Sequence, residues 1–331
     1  MKVAVIGAGS WGTALSQVIA NKGNQVSVWA RKDEVVAGIN NSHKNPRYLS
    51  DVSLNENIVA TTSYREALSE AQACVIVMPS STLRDTAATI APFVGENMPV
   101  IICSKGVEAQ TGMVGVQIFA DVLGNEQRLA ALSGPNHAEE VILGIPAATV
   151  IASSNQKTAQ FFQELFATPY FRTYVSSDVL GVELCAAFKN VIAIATGCAY
   201  GLGYGDNTAA MLQTRGLAEM SRLVTACGGQ ALTCMGLAGA GDLIVTCISR
   251  HSRNRRLGEM LANGKSVEDF TAQTHMVAEG AVACKTLGQL AEKVGVELPI
   301  TTVVRRVVWE NFDPRCVADA LLDRPLKPEF Y

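Results

Sequence analysis

The stretch Lys2-Val3-Ala4-Val5-Ile6-Gly7-Ala8-Gly9-Ser10-Trp11-Gly12 decides the fold of this chain. Its apolar beginning predicts a strand, Lys2–Ile6, and its glycines follow the pattern G-x-G-x-x-G before a helix predicted over Thr13–Asn21. In that context the first glycine permits a tight turn, the second lets the backbone approach a pyrophosphate, and the third lets the helix pack closely on the strand. The helix N-terminus offers free N–H groups to phosphates. The stretch therefore predicts a dinucleotide site, with an ordinary glycine turn as the alternative.

Short apolar runs alternate with segments of helical length through the first half of the chain. The runs are rich in Val and Ile, as are the strands of a parallel sheet that is covered on both faces. After the first strand they are predicted at Gln25–Trp29, Asn57–Thr61, Cys74–Met78, Pro99–Cys103, Leu129–Ser133 and Ala147–Ala152. This alternation is typical of an α/β fold, and it predicts a Rossmann-type, doubly wound sheet in an N-terminal domain of residues 1–180.

The pattern changes after about Ser177, where strand signals fade and residues such as Ala, Leu and Met dominate. One long helix is predicted up to Tyr200, with Asp178 as its N-cap and with Gly201 and Gly203 ending it. Further helices are predicted at Thr208–Cys227, Asn254–Ala262, Ala278–Lys293 and Thr301–Asn311. The C-terminal domain, residues 181–331, is therefore expected to be mainly α-helical.

Composition and charge argue against several classes of protein. The formal net charge of −3 gives no support for a global nucleic-acid or membrane-surface role, and no apolar run of the length of a membrane span stands out. The nine cysteines include no Cys-x-x-Cys pair, and the four histidines lack spaced partners, so neither a disulfide framework nor a metal site is expected. We expect a soluble, cytoplasmic protein.

A pair of cations follows the second predicted strand and bears on the choice of dinucleotide. Chains that bind NAD usually carry Asp or Glu at this point, where it holds the ribose 2′-hydroxyl. Arg31 and Lys32 stand there instead, and their charges would attract a 2′-phosphate. The pair predicts NADP as the preferred cofactor and NAD as the second. The alternative is a solvated surface pair beside Asp33 and Glu34.

A lysine lies within a helix that is apolar around most of its circumference. Lys189 has only Cys, Ala and Ile at the positions three and four residues away. Lysine is rarely buried without a partner, and burial would lower its pKa toward neutrality, where it could exchange a proton with a carbonyl group under reduction. The alternative is a long side chain that reaches the surface from a half-buried helix. The neighbouring polar Asn190 favours a site.

Two further segments place polar residues in turn-like settings. Asp242 follows Gly239-Ala240-Gly241, where it caps the next helix, accepts from a substrate hydroxyl or orients a lysine. Ser252, before the basic run Arg253-Asn254-Arg255-Arg256, predicts the N-cap of a helix whose N-terminus suits a phosphate. A solvated basic turn is the simpler alternative for that run, and a nucleic-acid patch ranks last because no aromatic residues are interleaved.

The carboxyl ends of two more predicted strands carry candidate ligand contacts, because open α/β sheets bind ligands at that edge. Ser104-Lys105-Gly106 follows one strand, and Ser133-Gly134-Pro135-Asn136-His137 follows the next. Lys105 either faces cofactor or substrate, or merely faces water.

Taken together, these motifs resemble those of NAD(P)-dependent sn-glycerol-3-phosphate dehydrogenases in their bacterial form. The resemblance runs from Gly7 to at least Glu279, and several markers in order are far more specific than the glycine loop alone. The markers are Gly7-Ala8-Gly9-Ser10-Trp11-Gly12-Thr13-Ala14-Leu15, Ser104-Lys105-Gly106, Ser133-Gly134-Pro135, Phe188-Lys189-Asn190-Val191, Gly201-Leu202-Gly203-Tyr204-Gly205-Asp206-Asn207-Thr208, Gly239-Ala240-Gly241-Asp242-Leu243 and Ser252-Arg253-Asn254-Arg255.

The resemblance implies reversible reduction of dihydroxyacetone phosphate to sn-glycerol 3-phosphate for phospholipid synthesis, by a homodimer. It implies that Lys189 is the general acid and base, and that Lys105 and Asp242 complete the reacting site. The substrate-binding positions would be Lys105, Gly134, Asn136, Lys189, Asn190, Asp242, Thr246, Ser252, Arg253 and Asn254. The cofactor-binding positions would be Gly7, Gly9, Ser10, Trp11, Gly12, Arg31, Lys32, Tyr48, Lys105, Ala138, Arg253, Val277 and Glu279. The family usually has Ser or Thr at position 136, where Asn keeps the capacity to donate and accept a hydrogen bond.

Two rival functions stay open at this point. A related Rossmann dehydrogenase acting on a 3-hydroxy acid or a sugar-acid phosphate would also use a helix lysine, although the Gly-Asp-Leu and Arg-Asn-Arg segments argue against it. A nicotinamide-sensing regulatory protein would bind the cofactor without turnover, and the full set of polar site residues argues against that reading.

Overall fold

A mixed eight-stranded sheet organises the N-terminal part of the chain. The computed structural model describes residues 1–274, 278–317 and 328–329. The strands are β1 (Lys2–Ile6), β2 (Gln25–Trp29), β3 (Ile58–Thr61), β4 (Ala73–Ile76), β5 (Val100–Ile102), β6 (Leu129–Ser133), β7 (Ala147–Ala152) and β8 (Phe171–Ser176). Their order is β3-β2-β1-β4-β5-β6-β7-β8, and every pair from β3 to β6 is parallel. This doubly wound order confirms the predicted fold class.

The last two strands depart from the expected parallel sheet. β7 pairs antiparallel with β6 and parallel with β8. The connection from β6 to β7 contains only a one-turn helix, Ala138–Val141, and antiparallel neighbours need no longer crossover. Apolar runs do not reveal β8, because its buried residues alternate with exposed ones such as Arg172 and Tyr174.

Helices make up most of the rest of the described chain. Those between the strands are α1 (Ser10–Ala20), α2 (Asp33–Ser42), α3 (Tyr64–Leu68), α4 (Leu83–Ile90), α5 (Gly115–Leu123), α6 (Ala138–Val141) and α7 (Gln156–Phe166). After the sheet come α8 (Val179–Gly201), α9 (Asp206–Ala226), α10 (Ala231–Cys234), α11 (Asp242–Ile248), α12 (Arg253–Ala262), α13 (Val267–Thr274), α14 (Glu279–Val294) and α15 (Pro299–Trp309). We call the chain up to the end of β8 the sheet half and the described chain from Asp178 onward the helical half. The mainly helical character predicted for the second part is confirmed.

Three large apolar clusters form most of the core of the described chain. Val3 and Val5 of β1 face one cluster, whereas Ala4 and Ile6 face another, so helices cover both faces of the sheet. The third cluster surrounds α8, which is buried without interruption from position 181 to position 199. The Asp178 carboxylate accepts from the Gly181 N–H and so caps this helix as predicted.

In the part of the chain that the structure describes, two apolar helical segments could cross a membrane by length and composition alone, contrary to the expectation that none would stand out. They are Val179–Gly201 and Ala231–Ile248. In the first, 89% of the most apolar window is buried inside the protein, as in the core helix of a globular fold. The second is 39% buried and contains Asp242.

Candidate active site

The predicted site residues gather where the strand order of the sheet reverses. The glycine loop follows β1, and Lys105 and Asn136 follow β5 and β6 at the same carboxyl edge. Ligands of open α/β sheets bind at this switch point. The helical half brings Lys189 and Asp242 to the same place from α8 and α11.

The glycine loop has the shape that a pyrophosphate requires. Gly7 has a φ of +120°, and a β-carbon on Gly12 would lie 1.8 Å from the Gly7 carbonyl oxygen, so helix α1 packs directly on the turn. Around Gly9, in contrast, a β-carbon would meet nothing within 4 Å. The N-cap residue of α1 is Gly9, which has no side chain to cap the helix, so the first N–H groups can face an anion. The loop therefore fits a dinucleotide.

Asn45 supports the glycine loop, and sequence reasoning missed it. Its amide donates to the Ala8 carbonyl and to the Thr13 hydroxyl, both at 2.9 Å, from a fully buried position. Its oxygen accepts from the backbone N–H groups of Arg47 and Tyr48. The contact spans more than thirty positions, and no local pattern announces it.

A buried carboxylate joins the two lysines at the centre of the site. Lys189 Nζ donates to Asp242 Oδ1 at 2.5 Å and to the Thr246 hydroxyl at 2.8 Å. Lys105 Nζ donates to the other carboxylate oxygen at 2.7 Å. Asp242 therefore orients both lysines, and its side chain does not cap α11. Lys189 itself is 7% exposed and does not reach the surface.

The charges in this cluster shift one another's pKa values. Burial lowers the pKa of the Lys189 ammonium to about 7, because the opposing attraction of Asp242 is outweighed by desolvation and by the nearby Lys105 charge. Burial would raise the pKa of Asp242, but the two lysines hold that pKa below its usual value. Lys189 can therefore exchange a proton near neutral pH beside a carboxylate that stays ionised.

Two predicted substrate contacts, Asn190 and Asn254, lie in a buried hydrogen-bond network. Asn254 Nδ2 donates to Asn190 Oδ1 at 2.8 Å, and Asn254 Oδ1 accepts from the Gly280 N–H at 2.9 Å. Asn190 Nδ2 donates to the Ala186 carbonyl of its own helix. These bonds join α8, α12 and the start of α14 directly beside Lys189.

The start of α12 combines a cap with an exposed cation. The Ser252 hydroxyl accepts from the Arg255 N–H, so the predicted N-cap is confirmed. Arg253 is exposed at the first position of the helix. This helix end presents a positive dipole and a guanidinium to an anion.

The turn after β6 contributes atoms that lack a partner among the described residues. Asn136 Nδ2 donates to the Ala148 carbonyl at 2.9 Å, while its buried Oδ1 has no hydrogen-bond partner there. His137 Nε2 is likewise buried and unpartnered. The Gly134 carbonyl accepts from Lys105 Nζ at 3.4 Å. Buried atoms without a partner are uncommon and are often found at functional sites or beside bound water.

The remaining predicted cofactor positions are spread around the same edge of the sheet. Ser10 and Trp11 form the first turn of α1, and Trp11 packs edge-on against Phe171 at 6.5 Å. Arg31 and Lys32 are exposed just beyond β2. Positions around the edge also include Tyr48, which is half-buried, Ala138, which is buried at the start of α6, and Glu279, which begins α14. Val277 lies outside the described residues.

Comparison with known proteins identifies the family to which this architecture belongs. Residues 2–159 match the model of the NAD-dependent glycerol-3-phosphate dehydrogenase N-terminus, and residues 178–319 match that of its C-terminus. The chain belongs to the NAD-dependent glycerol-3-phosphate dehydrogenase family. It is accordingly an oxidoreductase that uses NAD or NADP.

Individual members of the glycerol-3-phosphate dehydrogenase family are similar over the full chain. The NAD(P)+ glycerol-3-phosphate dehydrogenase of Corynebacterium urealyticum is 47% identical, over 99% of this chain and 100% of the relative. That of Chlorobium phaeobacteroides is 44% identical, over 100% of both. The crystal structure of the Coxiella burnetii glycerol-3-phosphate dehydrogenase has a TM-score of 0.93 at 35% identity, over 98% of this chain and 99% of that one.

Proposed function

We propose that the chain reduces dihydroxyacetone phosphate reversibly to sn-glycerol 3-phosphate, with Lys189 as the general acid and base. The observation that carries this proposal is the buried bridge in which Asp242 accepts from both Lys189 and Lys105. Such a cluster offers a proton donor of near-neutral pKa at the place where the sheet half and the helical half meet. Membership of the family supports the choice of substrate.

The nicotinamide supplies the hydride when the cofactor is bound at the glycine loop. The Lys189 ammonium then donates a proton to the oxygen that becomes the alkoxide, and the resulting amine recovers its proton from solvent. Asp242 and Thr246 hold Nζ in one orientation. Lys105 places a second positive charge beside the developing negative charge. In the reverse direction the neutral amine accepts the proton of the glycerol 3-phosphate hydroxyl.

The substrate phosphate would lie at the start of α12. The positive end of the helix dipole and the exposed Arg253 favour a dianion there. Asn190 and Asn254 hold this helix against α8, which sets the distance between the phosphate and Lys189. The orphaned Asn136 Oδ1 would accept from a substrate hydroxyl.

The preference for NADP, the quaternary structure and the cellular role are also part of the proposal. Arg31 and Lys32 are exposed beyond β2, at the point where NAD-binding chains usually carry a carboxylate, and their charges favour a 2′-phosphate. We also propose the division into domains 1–180 and 181–331, which the change from sheet to helices near the start of α8 supports. We further propose a soluble cytoplasmic homodimer whose product enters phospholipid synthesis, with no nucleic-acid partner.

The proposal is tested by following nicotinamide absorbance with purified protein, dihydroxyacetone phosphate and either NADPH or NADH. We expect turnover with both and a higher kcat/KM with NADPH. Glyceraldehyde 3-phosphate is the matched control, because it has the same phosphate but a terminal carbonyl, and it should react poorly. Faster turnover with NADH would contradict the proposal that Arg31 favours the 2′-phosphate of NADP, but it would still support the proposed reaction. Cofactor binding without turnover of dihydroxyacetone phosphate would overturn the proposed reaction and favour the hydroxy-acid or sensor alternatives.

A further inference from the structure

Ser80 makes a hydrogen bond that joins the sheet half to the helical half. It opens the turn Ser80–Thr82 that follows β4, next to β1 at the switch point of the sheet. Its hydroxyl donates to Glu279 Oε2 at 2.7 Å, across 199 positions of sequence. Glu279 is the first residue of α14. None of the sequence motifs singled out Ser80.

Tight packing fixes Ser80 from the side of the sheet. A β-carbon on Gly106 would lie 2.4 Å from the Ser80 β-carbon and 2.5 Å from its hydroxyl oxygen. The glycine beside Lys105 thus lets the loop after β5 close onto Ser80. The hydroxyl consequently has little freedom to point elsewhere, and it points at Glu279.

The backbone of α14 is fixed from the opposite side. The Gly280 N–H donates to Asn254 Oδ1 at 2.9 Å, and a β-carbon on Gly280 would lie 2.5 Å from the Asn190 carbonyl oxygen. These contacts hold the main chain next to Glu279 but leave the rotamer of its half-buried side chain unspecified. Among the described residues, the Ser80 hydroxyl is the hydrogen-bond partner of that carboxylate.

We propose that Ser80 is a positioning residue that orients the Glu279 carboxylate toward the nicotinamide cofactor. The inference rests on the proposed function and on the cofactor contact that the family resemblance implies for Glu279. A carboxylate accepts at both oxygens and has about four lone-pair sites, so the bond at Oε2 leaves capacity for a hydroxyl or amide of the cofactor. Preorganised in this way, Glu279 loses less rotamer freedom on binding. The bond also ties both halves together beside the cofactor.

A double-mutant cycle on cofactor binding tests the proposal. The dissociation constant of NADPH, or of NADH if that binds more tightly, is measured by nicotinamide fluorescence for wild type, S80A, E279A and the double variant. We expect S80A to weaken binding by about fivefold, the scale of one typical intramolecular hydrogen bond. In the E279A background the same change should have no further effect. S81A, at the exposed neighbouring serine, is the matched control and should bind like wild type.

Other outcomes overturn the inference. Unchanged or tighter binding by S80A would show that the bond does not prepare the site for the cofactor. A loss of equal size in the E279A background would mean that Ser80 acts through its packing against Gly106. Thermal unfolding of each variant separates misfolding from a local effect. Because binding is measured without substrate, a wild type that binds NADPH but does not turn over dihydroxyacetone phosphate would remove the proposed function while leaving the cycle interpretable.

Discussion

Lys189 shows how one buried cation can be predicted from sequence while its partner cannot. The apolar surroundings of the helix predict the burial, and the structure confirms it with 7% exposure. The partner Asp242 is 53 positions away and comes from another helix. Only the tertiary fold decides that this aspartate faces a lysine and does not cap α11. Sequence spacing left those alternatives even, because a lone Asp in a glycine loop suits all of them.

The pKa of Lys189, about 7, predicts opposite pH profiles for the two directions of the reaction. Reduction needs the ammonium, so kcat/KM for dihydroxyacetone phosphate should fall about tenfold per pH unit above pH ~7. Oxidation of glycerol 3-phosphate needs the neutral amine, so its kcat/KM should rise up to about pH 7 and then level. Initial rates of reduction and of oxidation, measured between about pH 6 and pH 9, test both pH profiles.

The control for this pH dependence is K189M, which keeps an unbranched side chain, one heavy atom shorter, without a titrating group. We expect it to lose about 10²–10⁴-fold in kcat and to lose both inflections, while binding NADPH normally. Near-normal turnover by K189M, or a flat profile in wild type, would contradict the assignment of Lys189 as the acid.

At the scale of elements, α8 and α12 cross with their backbones in contact. A β-carbon on Gly197 of α8 would lie 2.0 Å from the Arg255 carbonyl oxygen, and one on Gly258 of α12 would lie 2.1 Å from the Ile194 carbonyl oxygen. Helix α12 starts at the proposed phosphate site, and α8 carries Lys189. This close crossing therefore sets the distance between the substrate phosphate and Lys189.

We therefore expect G197A to act on both stability and substrate affinity. The added methyl group must push α12 away, which should lower the free energy of unfolding by about 1–3 kcal/mol and raise KM for dihydroxyacetone phosphate more than KM for the cofactor. G288A on α14 is the matched control, since a β-carbon there meets nothing within 4 Å. It should be neutral or stabilising by up to about 1 kcal/mol. Urea unfolding measures the change in stability, and steady-state kinetics measure the two KM values. Equal effects of G197A and G288A would show that the close contact between α8 and α12 does not set these properties.

The elements that the sequence predicts best are four strands of the sheet. β1, β2, β6 and β7 lie at their predicted bounds, because each is an apolar run bounded by turn residues. The exposed alternate residues of β8 hide it, and the direction of β7 depends on the short connection through α6. Asn45 escapes prediction for another reason: its function is to hold a distant loop, and such a contact has no local signature.

At the scale of the whole molecule, the proposed site exists only where the two halves meet. The sheet half supplies the glycine loop, Lys105 and Asn136, and the helical half supplies Lys189 and the start of α12. The division into a sheet and a helical part was accessible from composition alone, since strand signals fade near Ser177. The contacts across the division, such as Lys105 with Asp242, were implied only by the family resemblance, because sequence patterns report on elements and not on their docking.

This arrangement predicts that cofactor and substrate stabilise the protein cooperatively. NADPH and glycerol 3-phosphate form an unreactive pair, since both are reduced, so they can be bound together at equilibrium. Each ligand at a hundred times its Kd should add about 2.7 kcal/mol to the free energy of unfolding.

Because both ligands bridge the same junction between the halves, the first should hold that junction in the form that the second binds. The rise in Tm with both ligands should exceed the sum of the two separate rises in a thermal melt. Inorganic phosphate with NADPH is the control, because it would occupy only the start of α12. A strictly additive rise for the reduced pair would mean that the two sites are independent and that the junction is already rigid without ligands.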